Sequence, residues 1–432
     1  MIEHALRRVY GESAPDLLWR RRNQRRTDLL IAFLSLAVSA VLPILYAAFL
    51  PGSDIEKVLS GSGSPHIFLN AAANALVMIW ALRITGRFDR KLAAILSRVL
   101  LVHGAFAFWI LVSRQTYSNQ VMLMAAAASA LLGAAVVTIR HRSVEVRAAL
   151  IGRWQPLLDK IQVPCDPIDD PATNLDPYDI LLTPSVIDLP PDWATVISKA
   201  MLMGKPVRLL AEFVEDRQGI VSLEHFDFEH LQEAGLTSYR SRKRLMDVVL
   251  VVVALPIALP ILAFGAVLVL LTMGRPIFFI QSRVGLAGRH FDMFKLRTMR
   301  ISGSRDGVSA TASRDDARIT PIGRWLRRFR VDELPQLWNV LIGDMSVIGP
   351  RPEWTLLSDR YVEQLPVYAY RHLVRPGITG WAQVKGGYAG DLAETRAKVG
   401  YDLFYIKNIS FSLDVQILFR TIWTLLSGSG SR

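Results

Sequence analysis

The chain has 432 residues, room for two or three domains, and a single cysteine, Cys165, so no intrachain disulfide can form. Hydrophobic residues make up 51% and the formal net charge is +12, a balance suited to a lipid surface and phosphorylated substrates. With so much apolar sequence, nucleic acid is not the expected partner of that charge.

Polar and charged residues precede the first apolar stretch without a cleavable pattern, so no secretory signal is expected. Four stretches then read as membrane helices: Leu29–Leu50, about Ile67–Leu82, about Val99–Val112 and about Val121–Ile139. Basic residues crowd three of the flanking segments. Arg20, Arg21, Arg22, Arg25 and Arg26 come before the first span. Arg83, Arg87, Arg90, Lys91 and Arg98 lie between the second and third, and Arg140, Arg142 and Arg147 follow the fourth. The other two loops carry only Lys57 and Arg114. Positive charge marks the cytoplasmic side, so the N-terminus and everything after Arg140 are expected there. Residues 1–142 thus read as a four-helix transmembrane region.

Residues 143–236 read as a small α/β domain. Ala148–Ile151, Ile180–Leu182 and Val207–Leu210 look like buried strands, and Trp193–Met203 like a helix between them. This alternation predicts a parallel, Rossmann-like sheet. There is no G-x-G-x-x-G, so a dinucleotide role is unsupported and a structural or regulatory module is expected. Cys165 reads as a small buried residue. The Gly/Ser-rich tail, Ser427–Arg432, reads as disordered.

Residues 237–432 open with an apolar run, Val248–Met273. Arg240, Arg242, Lys243 and Arg244 precede it; Arg275, Arg283 and Arg289 follow it. Basic flanks at both ends favour both ends on the cytoplasmic side. Pro256 and Pro260 each remove a backbone donor near its middle. A re-entrant helix–break–helix over about 247–273 satisfies both observations.

The chemistry-bearing residues come next. Gln281–Met299 predicts a strand, a Gly turn over Gly285–Gly288, and a strand ending in Lys295 and Arg297 on one face. Those two cations fit a diphosphate or a solvated face equally. Arg327, Arg328 and Arg330 precede Asp332 and Glu333. Arg327 and Arg330 share a helical face, and Arg328 points away towards lipid. Pro335 predicts a helix over Gln336–Ile342, with Asp332 at or near its N-terminus, where free N–H groups would keep it ionised. Such a carboxylate is a nucleophile, a metal ligand or only an N-cap. Gly349-Pro350-Arg351-Pro352 is a stiff turn presenting a guanidinium that matches phosphate oxygens. Arg375-Pro376-Gly377-Ile378-Thr379-Gly380-Trp381 is a fixed loop that could cradle a nucleotide. No H-E-x-x-H, Walker loop or G-x-S-x-G is present, which disfavours zinc proteases, P-loop NTPases and α/β-hydrolases.

Six blocks over about Ser238–Leu426 resemble the bacterial sugar transferases, the monotopic phosphoglycosyl transferases. They are Lys243-Arg244, Gln281–Met299, Asp332-Glu333-Leu334-Pro335-Gln336, Met345–Pro352, Val374–Gly380 and Asp402–Ser412. Four preceding helices and a middle domain resemble the family's large form, whose members prime exopolysaccharide, capsule or O-antigen synthesis. The resemblance implies an α+β catalytic domain with a re-entrant helix and interfacial amphipathic helices, in the bacterial inner membrane and facing the cytoplasm. It implies transfer of a sugar-1-phosphate, glucose or galactose being expected, from a UDP-sugar to undecaprenyl phosphate with release of UMP.

By the same resemblance Asp332 matches the nucleophile that forms a covalent phosphosugar intermediate, and Glu333 its partner carboxylate. Lys295, Arg327 and Arg351 match cations around the phosphates, and Asp414 lies in the final motif; Arg297, Arg375 and Arg283 are further phosphate or nucleotide candidates read from their own positions. Magnesium is implied, with Asp332 and Glu333 as its ligands, and Pro260 matches the helix-breaking proline, with Pro256 sharing the role. The chain departs from the pattern at Leu259, where many members have serine, and at Leu296 and Thr298, which replace the usual Phe and Ser. The rival reading is a non-enzymatic membrane scaffold that binds anionic lipid or partner proteins. Sugar identity is not legible in these residues, and a homo-oligomer stays open.

Overall fold

The computed structural model describes residues 88–113, 126–128, 130–135, 147–152, 165–184, 189–223, 236–300, 318–386 and 392–427, with a few isolated positions besides. The first two expected spans lie outside these residues, apart from one position, as do the arginines at 20–26 and 140–142 and the tail beyond Ser427. The third span falls within α1, Phe88–Ser113. This helix is longer than expected and takes in Arg90, Lys91 and Arg98, expected in the preceding loop. Described parts of the fourth span, 126–128 and 130–135, are helical.

The chain divides into two compact units, Met1–Gln218 and Gly219–Arg432. In the first, β1 (Ala148–Ile151), β2 (Cys165–Ile168), β3 (Ile180–Thr183) and β4 (Val207–Leu209) form a parallel sheet in the order β2-β1-β3-β4. Its register pairs Ala148 with both Cys165 and Ile180, and Leu181 with Val207. The expected strands and their parallel pairing are present. Helix α2, Pro191–Leu202, covers one face: Trp193, Val196 and Ala200 pack on Ala149 and Leu181. Helix α3, Leu210–Gln218, covers the other: Phe213 and Val214 pack on Leu150 and Leu182. Burial on both faces is why these strands are continuous apolar runs rather than alternating ones. Strand β2 escaped the sequence reading because Cys165-Asp166-Pro167-Ile168 has no such run; Pro167 is tolerated because β2 is an edge strand.

The second unit begins with α4, Leu236–Met273. Hairpin β5 (Phe278–Val284) and β6 (His290–Leu296) follows, then α5 (Pro321–Arg328) and α6 (Gln336–Ile342). Next come β7 (Ser346–Ile348), α7 (Thr355–Gln364), β8 (Gly377–Thr379), α8 (Trp381–Lys385), α9 (Leu392–Lys407) and α10 (Phe411–Ser427). β7 and β8 are a two-stranded parallel pair. The main core gathers Phe404, Tyr405, Ile406, Ile348, Trp381 and Tyr368.

Helix α4 differs from expectation. The chain stays helical through both Pro256 and Pro260, and the expected break into two helices is absent. Each proline removes one donor, and the turns on either side continue the helix. Both ends of α4 are tied to the same unit. Near its start Asp247 accepts hydrogen bonds from Ser346 Oγ (3.0 Å) and Val347 N (3.1 Å). At its end Arg297 donates to the carbonyls of Met273 (2.5 Å) and Gly274 (2.7 Å). Val251 packs with Met293, Val340 and Met345, and Val269 with Leu296, Leu326 and Val331. A Cβ at Gly265 would meet Leu296 at 3.0 Å and Val331 at 3.1 Å, so glycine lets the helix approach the segment before Asp332. The outward side, including Val253, Ile257, Phe264 and Leu271, is exposed apolar surface.

Candidate active site

Thr320 caps α5 by accepting from Gly323 N (3.0 Å), and Pro321 occupies the first turn. After α5 the backbone of Arg330 turns left-handed, with φ 57°. It directs the chain into a single 3₁₀ turn, Val331–Glu333. Val331 anchors that turn in the core formed with Leu296, Leu326 and Val269. Asp332 and Glu333 are each 7% exposed. The sequence placed Asp332 at the N-terminus of α6; it sits instead one turn earlier, and α6 starts after Pro335.

Glu333 is surrounded by cations. Its Oε1 accepts from Arg351 Nη2 at 2.8 Å and Arg330 Nη1 at 3.2 Å, and Lys295 Nζ lies 3.6 Å away. Burial alone would raise the Glu333 pKa. Arg351, Lys295 and Arg330 outweigh it and hold the carboxyl below the usual range. Asp332 is the opposite case. Its Oδ1 is buried without a hydrogen-bond partner. Burial first, then the charge of Glu333, pushes its pKa up to about 6. The expected lowering of the Asp332 pKa by a helix terminus is thus corrected: burial dominates and raises it, and at about 6 the group still ionises near neutral pH. Burial also lowers Lys295 to about 8, against the pull of Glu333.

Surrounding elements fix these groups. Asn339 on α6 accepts from Phe294 N (3.1 Å) and donates to Asp292 O (2.7 Å), clamping β6 and with it Lys295. Arg371, held by Asp402 at 2.7 Å, donates to Arg351 O at 3.0 Å. The turn at Gly349 packs backbone to backbone on the Arg375–Gly380 loop: a Cβ on Gly377 would lie 2.1 Å from Gly349 N. That loop, expected to cradle a nucleotide, braces the turn that carries Arg351.

The structure therefore sorts the expected cations. Lys295 and Arg351 meet at Glu333. Arg327 donates to Thr298 Oγ1 (2.9 Å), and its charge acts on Asp332. Arg297 is not with them; it caps the C-terminal carbonyls of α4, which lie beside the end of β6. Arg375 is not with them either. It donates to Gly343 O (2.8 Å) at the C-terminus of α6, where cations favour the helix dipole. Arg283 donates to Pro352 O (3.1 Å) and Gln281 Oε1 (2.6 Å), next to the Arg351 turn. Asp414 is 1% exposed and away from the pair, held by Lys243 (2.9 Å), Tyr239 (2.9 Å) and Tyr405 (2.8 Å). Arg330, not among the expected phosphate-binding cations, joins Lys295 and Arg351 at Glu333, and its spacing of three residues before that acid is the signal in the sequence.

Among the described residues no group of three or more His, Cys, Asp or Glu side chains could hold a metal alone. The unpartnered Oδ1 of Asp332 nevertheless fits a hard cation completed by substrate phosphate oxygens, the usual manner of Mg²⁺.

A buried carboxylate pair ringed by guanidinium and ammonium groups is suited to phosphoryl transfer. Residues 238–428 match the family described as bacterial sugar transferase. The UDP-N-acetylgalactosamine-undecaprenyl-phosphate N-acetylgalactosaminephosphotransferase of Aeromonas hydrophila is 37% identical over 347 residues, covering 79% of this chain and 81% of that relative. The UDP-glucose:undecaprenyl-phosphate glucose-1-phosphate transferase of Xanthomonas campestris pv. campestris is 43% identical over 181 residues, 41% of this chain and 37% of that protein. The uncharacterized sugar transferase EpsL of Bacillus subtilis is 42% identical over 192 residues, 44% of this chain and 89% of that protein. This chain belongs to the bacterial sugar transferase family.

Proposed function

We propose that this protein transfers a sugar-1-phosphate from a UDP-sugar to undecaprenyl phosphate, releasing UMP, with Asp332 as the nucleophile. The observation that carries this reading is the contrast between two adjacent acids: Glu333 is neutralised by three cations, and Asp332 Oδ1 is buried without a partner. A carboxylate left in that state is destabilised and reactive. Its oxygen attacks the β-phosphorus of the UDP-sugar. The bond to the bridging oxygen breaks, and UMP leaves with that oxygen and its electron pair. The acyl phosphosugar is then attacked by a phosphate oxygen of the polyprenyl phosphate, which restores Asp332. Lys295, Arg351 and Arg330 surround the pair and offset the charge of the equatorial oxygens during both displacements. Magnesium is the proposed cofactor; Asp332 and Glu333 would hold it together with diphosphate oxygens, and it would supply further charge neutralisation.

The membrane reading is part of the proposal. Both ends of helix α4 are held on the cytoplasmic side, supported by their attachments to one unit and by the basic flanks, and its exposed apolar side enters the cytoplasmic leaflet without an interruption of the helix. Four N-terminal spans make the protein multi-pass in the bacterial inner membrane. The step is the first membrane reaction of exopolysaccharide, capsule or O-antigen synthesis. The relative that aligns along most of the chain bears an N-acetylgalactosamine name, and the Xanthomonas relative a glucose name, so both sugars belong in the test. A scaffold that binds anionic lipid would keep its cations exposed, whereas here they enclose buried acids. UMP release by the purified protein, run with a panel of UDP-sugars and undecaprenyl phosphate, tests the reading; no release with any donor contradicts it.

A further inference from the structure

We propose that Phe279 on β5 lines the track along which the isoprenoid chain of the acceptor reaches the active site, an inference that rests on the transferase reading above. Three successive residues, Phe278, Phe279 and Ile280, are 44%, 48% and 54% exposed. A strand on a half-solvated hairpin normally alternates apolar with polar residues, so three exposed apolar residues in a row need an apolar partner on both faces.

The register separates those faces. Phe279 pairs with Lys295, and Phe278 and Ile280 pair with Leu296 and Phe294. Directly opposed residues of an antiparallel pair share a face, with Cβ atoms about 4.5–5.5 Å apart. Phe279 therefore shares a face with Lys295, whose ammonium lies 3.6 Å from Glu333. An apolar ring next to a phosphate-binding cation matches a molecule that is a phosphate at one end and a hydrocarbon at the other.

Position along the chain fits the same ligand. Strand β5 starts five residues after α4 ends at Met273, and Arg297, two residues beyond Lys295, holds the α4 terminus by the carbonyls of Met273, Gly274 and Arg275. The segment at the end of β6, residues 295–297, thus links the α4 terminus to the carboxylate pair. An isoprenoid chain following α4 out of the bilayer meets Phe279 immediately before its phosphate meets Lys295. Phe278 and Ile280, on the opposite face, are left to contact bilayer lipid.

The test uses the full chain in vesicles of phosphatidylethanolamine and phosphatidylglycerol, and follows UMP release with undecaprenyl phosphate or with a short two-isoprene phosphate. Phe279→Ser is expected to raise KM for undecaprenyl phosphate about tenfold while KM for the UDP-sugar and for the short acceptor stays within about twofold. Phe279→Leu keeps an apolar side chain and should restore most of the long-chain affinity. Ile280→Ser should weaken vesicle retention in a flotation assay without changing the long-chain KM. An unchanged long-chain KM in Phe279→Ser overturns the track and leaves the transferase reading standing. So does a parallel rise in all three KM values, which would mean a disturbed Lys295, or a loss of vesicle retention, which would mean a bilayer anchor. If the unaltered protein shows no acceptor-dependent UMP release, the transferase reading fails and the track falls with it.

Discussion

The two units bury different things. The middle sheet hides Ala149, Leu150, Leu181 and Leu182 between two helices, and Thr183 and Glu215 are the buried polar residues described there. The C-terminal unit hides Lys243, Asp247, Arg297, Asp332, Glu333, Arg371, Asp402 and Asp414. Burying charge costs free energy unless each group is paired, so a unit built this way maintains a second property besides stability. In the C-terminal unit all but one of the acids among these groups are satisfied by named partners. Asp332 is the exception, its Oδ1 buried without a partner, and the proposed nucleophile is that same group.

The sharpest break in the comparison comes from removing that exception. Asp332→Asn keeps the shape and takes away the attacking charge. UMP release should fall by at least about a thousandfold. The thermal melting point should hold or rise, because a buried unpartnered acid has gone. A melting point that drops along with activity would make Asp332 a structural residue like its neighbours.

A second contrast lies among the arginines. Arg351→Gln removes a donor to Glu333 and should lower kcat/KM by about a hundredfold. Arg375→Gln removes a bond to Gly343 O and should change it by less than about threefold, with a modest loss of stability as the main effect. Steady-state kinetics on the two variants side by side decides; equal losses would return Arg375 to the phosphate site.

The paired charges and the apolar sheet can also be set against each other. Asp414→Ala leaves buried Lys243 with Asp247 alone, 3.9 Å away, and should destabilise the C-terminal unit by about 3–5 kcal/mol. Leu150→Ala should destabilise the middle unit by about 2–5 kcal/mol and leave kcat unchanged. Denaturant unfolding with a probe in each unit reads both. The smallest effect is the pH profile. Asp332 must be deprotonated to attack, and its pKa lies at about 6. Lys295 must be protonated to offset phosphate charge, and its pKa lies at about 8. kcat/KM for the UDP-sugar should therefore fall below about pH 6 and again above about pH 8. In Lys295→Arg the upper limb should move out of range.

How much was legible in the sequence follows from the same contrast. Strands β1, β3 and β4 and helix α2 were readable because burial on both faces leaves an uninterrupted apolar run between Pro-rich turns. Hairpin β5–β6 and helix α6 were readable from glycine spacing and from Pro335. The carboxylate pair and Arg351 were readable from composition in a short window. What could not be read was where each guanidinium goes. Arg297 and Arg375 sit in the same motifs as Lys295 and Arg351, yet they serve helix C-termini that only the tertiary fold brings near. The raised Asp332 pKa was illegible for a related reason: local sequence shows the helix start and the nearby arginines, but not the burial that outweighs them. Helix α4 packs on both sides of its two prolines with Met293, Leu296 and Val331, contacts 27 or more residues distant in sequence that no local pattern shows.

The central claim is that Asp332 carries the sugar-phosphate between the two substrates. Intact-mass analysis of the protein incubated with UDP-sugar and no acceptor addresses it directly. The account predicts an added mass of one sugar-1-phosphate less water, mapped to Asp332, absent in Asp332→Asn and discharged by undecaprenyl phosphate. An active protein that shows no adduct, or one carried by another residue, would contradict it.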